Sequence, residues 1–334
     1  MGSMQRRTLL TLAAISPLAA TTVALAEGDD DGFEDGNTDA ALQRFLALPG
    51  TKSYLIQVGE GGALGRHAHQ PDILLFTASA YKTFVLGQYL RDTEAGRRSE
   101  DDPLAIDDNV RDLGSPVFID LAGTTTARSV LEAMIAHSDN TATTAATLAV
   151  GGDKVRALIA QAGLQSIRIP DTTRLFASYV VGAPPGVDLG WPEIKDALQN
   201  PPGPFRPFFN DVITLAGNAS DFVSWYEQAL SGAIFTKAET VTEFKRIQGM
   251  SEQIVRAVPP DTLAYAKGGE VASDGFNAKS FAGQIVVGDG ENRTPVTFCF
   301  LVNWDGPASD FPAVEAAYFA AIKNILKVIK RTLQ

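Results

Sequence analysis

The chain has 334 residues, 45% of them hydrophobic, which is enough for one large domain or two intertwined lobes with a substantial core. Its formal net charge of −11 argues against a nucleic-acid backbone or an anionic membrane surface as partner, because both are polyanions. The single cysteine, Cys299, excludes an internal disulfide, and its apolar neighbours predict a place in the core.

The first residues have the pattern of an export signal. Residues 1–3 resemble a cloning remnant, and the basic pair Arg6-Arg7 precedes an apolar stretch that ends in small residues at Ala24-Leu25-Ala26. This pattern predicts a signal peptide over residues 1–26, either twin-arginine or ordinary secretory, and hence a periplasmic or secreted protein. Residues 27–37 form an acidic leader, and no later stretch is apolar for the roughly 20 residues that a membrane span needs.

The rest of the chain alternates helical and strand patterns. Apolar spacing predicts a helix over residues 38–48 and a hairpin over residues 53–58 and 64–69. Further helices are predicted at residues 79–90, 126–136, 141–149, 154–161, 220–230, 238–248 and 314–328, and strands at residues 263–267, 280–287 and 296–304. Residues 92–123 are predicted to form loops, and prolines between residues 171 and 210 predict no regular element there.

The order of these elements indicates the fold class. Strands from both ends of the chain suit one antiparallel sheet of about five strands, flanked by N- and C-terminal helices, in an α/β (α+β) protein. The predicted catalytic domain spans residues 38–334. Its α/β lobe comprises residues 38–75 and 260–334, and an all-helical lobe of residues 76–259 is inserted between them.

Ser79 and Lys82 stand three residues apart where an apolar helix is predicted to begin. Residues i and i+3 share a helix face, so the lysine amine can lie over the serine hydroxyl. A serine becomes a nucleophile when a neighbour takes its proton, and a buried lysine that is kept neutral can do so. The same pair also fits a capping serine with a solvated lysine, so the interpretation needs support from other motifs.

A second motif, Ser138-Asp139-Asn140, lies at the turn between two predicted helices. Its serine can relay a proton to a leaving nitrogen, and the Asn140 amide can bind both a substrate carbonyl and the Lys82 amine. Asp139 is expected to hold the loop by accepting hydrogen bonds from backbone N–H groups. Taken alone, the motif also fits an ordinary interhelical turn.

A third motif, Lys267-Gly268-Gly269, falls at the end of a predicted strand. Two residues without side chains let a ligand backbone approach an edge strand, and the following N–H groups can stabilise an oxyanion. Lys267 supplies a cation for a substrate carboxylate and for proton transfer through Ser138. The alternative is a strand end with a solvated lysine.

In this order, the three motifs resemble the signature set of serine β-lactamases and penicillin-binding proteins, and class A β-lactamases in particular. The resemblance extends through residues 134–142, the pair Gly151-Gly152 and Asp171-Thr172-Thr173-Arg174-Leu175, which is similar to the opening of that family's omega loop. It covers about residues 38–333. It implies a β-lactamase/transpeptidase-like fold and an antibiotic-resistance type of hydrolase.

The resemblance also implies a covalent acyl-enzyme route. Ser79 attacks a lactam carbonyl, with either Lys82 or a water-linked carboxylate taking its proton. Ser138 then passes a proton to the departing nitrogen, and Lys267 contacts the substrate carboxylate. These four are the predicted catalytic residues.

The substrate-binding residues implied by the resemblance are Asn140, Gly268, Gly269, Glu270 and Tyr179, and the backbone N–H groups of the nucleophile and Glu270 form the oxyanion hole. Two of them depart from the family pattern. Gly268 stands where the family usually has a Ser or Thr hydroxyl, and losing that hydrogen bond costs about 1.5–3 kcal/mol. Tyr179 falls where the family keeps its water-activating glutamate, and a neutral phenol is a poor base near pH 7.

Deacylation is therefore expected to be slow unless Asp188 or Glu193, which both lie within the proline-rich insertion of residues 183–209, reaches the ester. The leading function is β-lactam hydrolysis. The alternatives are a D-alanyl-D-alanine peptidase, a small-ester hydrolase, or a β-lactam-binding receptor that acylates once. The expected partner is a small-molecule substrate bound by a monomer, without nucleic acid or stable membrane insertion. No metal or cofactor is expected, because three histidines and one cysteine form no zinc pattern and nucleotide fingerprints are absent.

Overall fold

A computed structural model describes residues 37–200, 203–290 and 292–334. The predicted signal peptide of residues 1–26, and all but the last residue of the acidic leader, lie outside the described residues. None of the helices within the described ranges is both long and apolar enough to cross a membrane.

Helices and strands in the described part of the chain follow the predicted order. The helices are α1 Thr38–Leu46, α2 Lys82–Glu94, α3 Ala127–Ala136, α4 Asn140–Val150, α5 Gly152–Gln161, α6 Thr173–Val180, α7 Trp191–Gln199, α8 Ala219–Ser231, α9 Ala238–Gln248, α10 Ile254–Ala257 and α11 Phe311–Thr332. The strands are β1 Thr51–Val58, β2 Gly65–His69, β3 Leu75–Phe76, β4 Pro103–Ile106, β5 Gly123–Thr126, β6 Ala216–Gly217, β7 Leu263–Ser273, β8 Phe276–Val287 and β9 Thr294–Trp304. A 3₁₀ turn, Ala78–Tyr81, leads directly into α2.

Five of these strands form one antiparallel sheet in the order β2-β1-β9-β8-β7. Strands from both ends of the chain therefore meet at β1 and β9, with the helical segments inserted between them in sequence. The predicted fold class, an antiparallel sheet of about five strands with flanking helices and a helical insertion, is confirmed. Strand β7, which carries the third motif, lies at one edge of this sheet.

Both faces of the central strand β9 are buried, in two separate cores. Phe298 and Phe300 pack with α1 and α11 on one face of the sheet. Cys299 and Leu301 pack with the helical segments on the other face, and the cysteine lies in the core as predicted. An apolar run without polar alternation is what a strand covered on both sides requires.

Helix α1 shows how local sequence sets the flanking layer. Asn37 caps it by accepting a hydrogen bond from Asp39 N at 2.8 Å. Ala41, Leu42 and Phe45 are buried on one face, as helical spacing requires. This face packs against α11, so both ends of the chain cover the same side of the sheet.

Three predictions about elements were wrong. Helices α6 and α7 lie in the segment predicted to lack regular structure, because Pro184-Pro185 falls between them and Pro192 occupies the first turn of α7, where proline is tolerated. Strand β4 lies within the predicted loops and pairs with β5. The third motif is not at a strand end, because β7 continues past it to Ser273 in register with β8.

Candidate active site

Ser79 lies in the 3₁₀ turn before α2 and is only 8% exposed. In a 3₁₀ turn the side chains at i and i+3 eclipse each other, which puts Ser79 and Lys82 on the same side of the chain. Ala78 has a φ of 45° and Ser138 a φ of 56°. A left-handed conformation costs a non-glycine residue roughly 1–2 kcal/mol, so two turns of this site are held in strained conformations by their surroundings.

Residues 76 and 77, just before Ser79, are hydrogen-bonded to strands β8 and β9 of the sheet. Asn303 of β9 accepts a hydrogen bond from Phe76 N at 2.8 Å and donates one to Phe76 O at 2.9 Å. Ser280 of β8 donates to Thr77 O at 2.6 Å. These buried contacts fix the nucleophile turn relative to the strands that carry the third motif.

Gly269 lets β7 pack directly against the turn that carries Ser79. A Cβ atom at this position would lie 2.3 Å from Ser79 N, 2.7 Å from Thr77 O and 2.8 Å from Ala80 N. Only a residue without a side chain can make this approach. The edge strand and the Ser79 backbone N–H are therefore adjacent, as the predicted oxyanion hole of Ser79 and Glu270 requires, and Glu270 also lines the pocket beside Ser79.

Two lysines from distant parts of the chain meet at one hydroxyl. Lys82 Nζ donates to Ser138 Oγ at 3.2 Å, and Lys267 Nζ donates to the same oxygen at 3.0 Å. Lys82 also donates to the Ser138 carbonyl, and Lys267 to Gly268 O at 2.6 Å. The first, second and third motifs are thus joined by direct contacts.

The second motif is held rigidly. Asp139 accepts hydrogen bonds from the N–H groups of Val117, Phe118 and Ala142 at 2.8–2.9 Å, which is the loop-holding role predicted for it. Asn140 accepts from Lys82 Nζ at 2.7 Å and donates to Leu113 O at 2.6 Å. The contact between Asn140 and Lys82 agrees with the prediction for Asn140, and the contact of Asn140 with a substrate stays a prediction.

Burial shifts the charge state of both lysines. It lowers the pKa of Lys82 well below the usual 10.5, with the nearby Lys267 cation acting in the same direction. Burial also lowers the pKa of Lys267 to about 8, against the opposing effect of Glu252 and Glu270. The shift favours the neutral amine of Lys82, whereas Lys267, with a pKa of about 8, stays mostly protonated at pH 7.

A buried polar network supports α2 one residue beyond Lys82. Thr83 Oγ1 accepts hydrogen bonds from Trp225 Nε1 of α8 and Gln248 Nε2 of α9, each at 2.8 Å. Tyr226 donates to Gln248 Oε1 at 3.2 Å. Three helices are therefore joined by hydrogen bonds next to Lys82.

Gln253 fills the space that Gly268 leaves. A Cβ atom on Gly268 would lie 1.7 Å from Gln253 Oε1 and 2.7 Å from Ser280 O. The Oε1 atom is buried and accepts no hydrogen bond from the described residues. The family hydroxyl is thus missing, but a different polar group, which sequence reasoning did not predict, occupies its place.

Tyr179 does not line the pocket beside Ser79. Its ring lies 4.4 Å from the guanidinium of Arg206, which also donates to Tyr179 O at 2.6 Å. Asp188 accepts from Arg174 Nε at 2.9 Å, and Glu193 lines a separate pocket on α7. Neither Asp188 nor Glu193, the two carboxylates considered as replacements for the omega-loop glutamate, lines the pocket beside Ser79.

Asp112, which sequence reasoning missed, does line that pocket together with Ser79, Asn140 and Glu270. It is 1% exposed and lies in the irregular segment between β4 and β5. Burial raises the pKa of its carboxyl to about 7, although Arg174 and Lys82 oppose the shift. A single aspartate in a polar loop carries no sequence signal that could have identified it.

The described residues contain no group of three or more His, Cys, Asp or Glu side chains that could hold a metal ion.

The five-stranded sheet with its helical insertion has the β-lactamase/transpeptidase-like fold, and the three motifs meet at its edge strand. The model of the beta-lactamase enzyme family matches residues 44–188. These residues carry the first two motifs, and β7 with the third motif lies beyond them. The chain is similar to this family over that segment, and the predicted resemblance to class A-like serine β-lactamases is confirmed.

Solved structures share the fold at low identity. A β-lactamase from Chitinophaga pinensis superposes with a TM-score of 0.68 at 15% identity, over 89% of this chain and 98% of the other. One from Sphaerobacter thermophilus gives 0.65 at 19% identity, over 89% and 96%. PBP-A gives 0.64 at 15% identity, over 88% and 94%. No curated protein matches the sequence.

Proposed function

We propose that the protein is a serine hydrolase of the β-lactamase type, which opens a β-lactam amide through a covalent acyl-enzyme on Ser79. The observation that carries the proposal is the meeting of Lys82 and Lys267 at Ser138 Oγ, beside the nucleophile turn. The family match over residues 44–188 supports it. So does the structural similarity to a PBP-A mutant captured as an acyl-enzyme complex with penicillin G.

In the first half of the reaction, Ser79 Oγ attacks the lactam carbonyl carbon while its proton passes to neutral Lys82. The N–H groups of Ser79 and Glu270 stabilise the developing oxyanion, a term worth roughly 3–4 kcal/mol per donor in well-studied sites. Lys267 attracts the substrate carboxylate by charge. Its own contact with Ser138 also orients that hydroxyl.

Cleavage of the carbon–nitrogen bond requires a proton on the departing nitrogen. Ser138 Oγ lies between two amines, at 3.2 Å from Lys82 Nζ and 3.0 Å from Lys267 Nζ. It can donate its proton to the nitrogen and regain one from Lys82, which then returns to the neutral state. The product of this half-reaction is a Ser79 ester.

A β-lactam-binding receptor is the second candidate, and the position of Tyr179 favours it. Its phenol packs under Arg206 and does not line the pocket, so no omega-loop base is available to activate water. A protein that acylates and does not hydrolyse the ester would bind each β-lactam only once.

Intact-mass measurement after mixing with a penicillin, together with turnover of a chromogenic cephalosporin, tests the proposal. The wild type is expected to form an adduct and turn over, and Ser79→Ala to do neither. A stable wild-type adduct without turnover supports the receptor. Absence of both adduct and turnover contradicts both candidates.

The peptidase and esterase alternatives share the acylation chemistry and need their own assays. Release of D-alanine from a D-alanyl-D-alanine peptide identifies the first, and hydrolysis of a small ester that a β-lactam inhibits identifies the second. We further propose export, from the Arg6-Arg7 pair and the apolar stretch that follows. A secreted form that begins after Ala26 is the expected result of N-terminal sequencing.

A further inference from the structure

The pocket beside Ser79 contains a carboxylate that the reaction described so far does not use. Asp112 and the nucleophile line the same cavity, which has room for about one water molecule. The other side chains around it that could bind a water are Asn140, Thr173 and Glu270, and the Glu270 carboxylate is already paired with Lys279. No carboxylate from the omega-loop region shares this cavity.

The carboxylate of Asp112 accepts few hydrogen bonds from the surrounding residues. One oxygen accepts a hydrogen bond from Leu113 N at 2.8 Å. The other accepts only a long contact from Thr144 Oγ1, at 3.5 Å. Asp139 offers a contrast, because three short hydrogen bonds from backbone N–H groups occupy its oxygens. The second oxygen of Asp112 therefore has capacity for another donor, such as a water.

Charged groups face Asp112 from several elements. Arg174 of α6 and Lys82 of α2 favour its ionised form, and Asp188 opposes it. The neutral hydroxyls nearby come from Tyr81 of the 3₁₀ turn, Thr144 of α4 and Thr173 of α6, and the two threonine oxygens are 3.3 Å apart. Burial exceeds the effect of the cations, so the carboxyl exchanges its proton near pH 7, where a general base is most effective.

From this geometry we infer that Asp112 is the general base of deacylation and takes the role of the glutamate that the omega loop lacks. The inference rests on the proposed function, because it concerns the fate of the Ser79 ester. It also explains how the protein can turn over with Tyr179 packed away from the pocket.

In this step the water oxygen forms a bond to the ester carbonyl carbon while a water proton passes to the Asp112 carboxylate. The tetrahedral intermediate then collapses, the bond between that carbon and Ser79 Oγ breaks, and the proton is returned to Oγ. The products are the free acid and the original serine. The ester is hydrolysed with one water and no change of oxidation state.

The lifetime of the penicillin adduct tests this assignment. Asp112→Asn keeps an oxygen for Leu113 N and removes the basic carboxylate. Because a general base contributes typically 10²–10⁴-fold, the adduct of this variant is expected to persist at least 100-fold longer than that of the wild type, with the acylation rate changed little. Glu193→Gln, on the separate α7 pocket, is the matched control and should behave as the wild type does.

Equal adduct lifetimes in the wild type and Asp112→Asn would overturn the inference but not the proposed function. The same holds if the adduct is long-lived in Glu193→Gln but not in Asp112→Asn. A stable wild-type adduct also overturns it, in favour of the receptor. If neither adduct nor turnover occurs in the wild type, the proposed function is wrong, and the inference, which depends on it, is wrong as well.

The wild type provides a second measurement that does not depend on how the variant folds. With a pKa of about 7, the ionised fraction of Asp112 falls about tenfold from pH 8 to pH 6. The deacylation rate, followed by adduct decay after pH jump, should fall by the same factor. A rate that is constant over this range overturns the inference.

Discussion

Replacing Gly269 by alanine should distort the proposed oxyanion hole without removing any of the proposed catalytic side chains. The new Cβ would lie 2.3 Å from Ser79 N, and the atoms next nearest to it, Thr77 O and Ala80 N, also belong to the backbone. No side-chain rotation can relieve such contacts. Reaching an ordinary separation of about 3.4 Å requires β7 and the nucleophile turn to move apart by about 1 Å.

A displacement of this size is expected to reduce the rate constant of acylation about 100-fold, since misplacing a reacting group by 1 Å costs about that factor. Overpacking should also cost about 1–3 kcal/mol of stability and lower the melting temperature by a few degrees. Stopped-flow acylation by a chromogenic cephalosporin and thermal unfolding measure the two effects.

Gly65→Ala is the matched control for this change. It makes the same substitution in β2 of the same sheet, where the nearest atom to the new Cβ would be Val58 Cβ at 3.8 Å. Its acylation rate and melting temperature should stay close to those of the wild type. A Gly269→Ala protein that acylates within threefold of the wild type would refute the assignment of this strand to the oxyanion hole.

Three further predictions follow from the site. Acylation should fall about tenfold from pH 7 to pH 9, because Lys267, with its pKa lowered to about 8, loses its charge over that range; a rate that rises or stays level contradicts the role of this cation. Gly268→Ser should lower the melting temperature by forcing Gln253 aside, and Gln253→Ala should restore part of the loss; an unchanged melting temperature in the single variant is the adverse result. Thr83→Val should cost at least about 2 kcal/mol in urea unfolding, since two buried donors lose their acceptor; a cost below 1 kcal/mol is inconsistent with the network.

Whether a helix or strand could be predicted depended on whether local residue spacing or long-range pairing determines it. The hairpin, the long helices and the three C-terminal strands show regular apolar spacing, which is a property of neighbouring residues. Helices α6 and α7 are short and lie among prolines, which usually interrupt helices. Here the prolines fall between the two helices or in the first turn of α7, so they do not prevent either helix from forming. The extension of β7 beyond Gly269 depends on pairing with β8, which is not a local property.

The sequence by itself determined the chemical groups available and the spacing within each motif. Ser79 and Lys82 share a side of one turn because of their separation, and Asp139 follows Ser138 into a helix cap. Periodicity also determined the strands that both ends of the chain contribute to the sheet.

Only the tertiary structure decided which groups from different segments meet. Lys267 reaches Ser138 because β7 packs against the nucleophile turn, and Gln253 fills the space above Gly268 from the segment before α10. Asp112 enters the pocket of Ser79 from a loop that has no periodic pattern. Local spacing reports the face on which a residue lies, whereas contacts between distant segments depend on how whole elements pack, and for this reason the carboxylate of the site could not be read from the sequence.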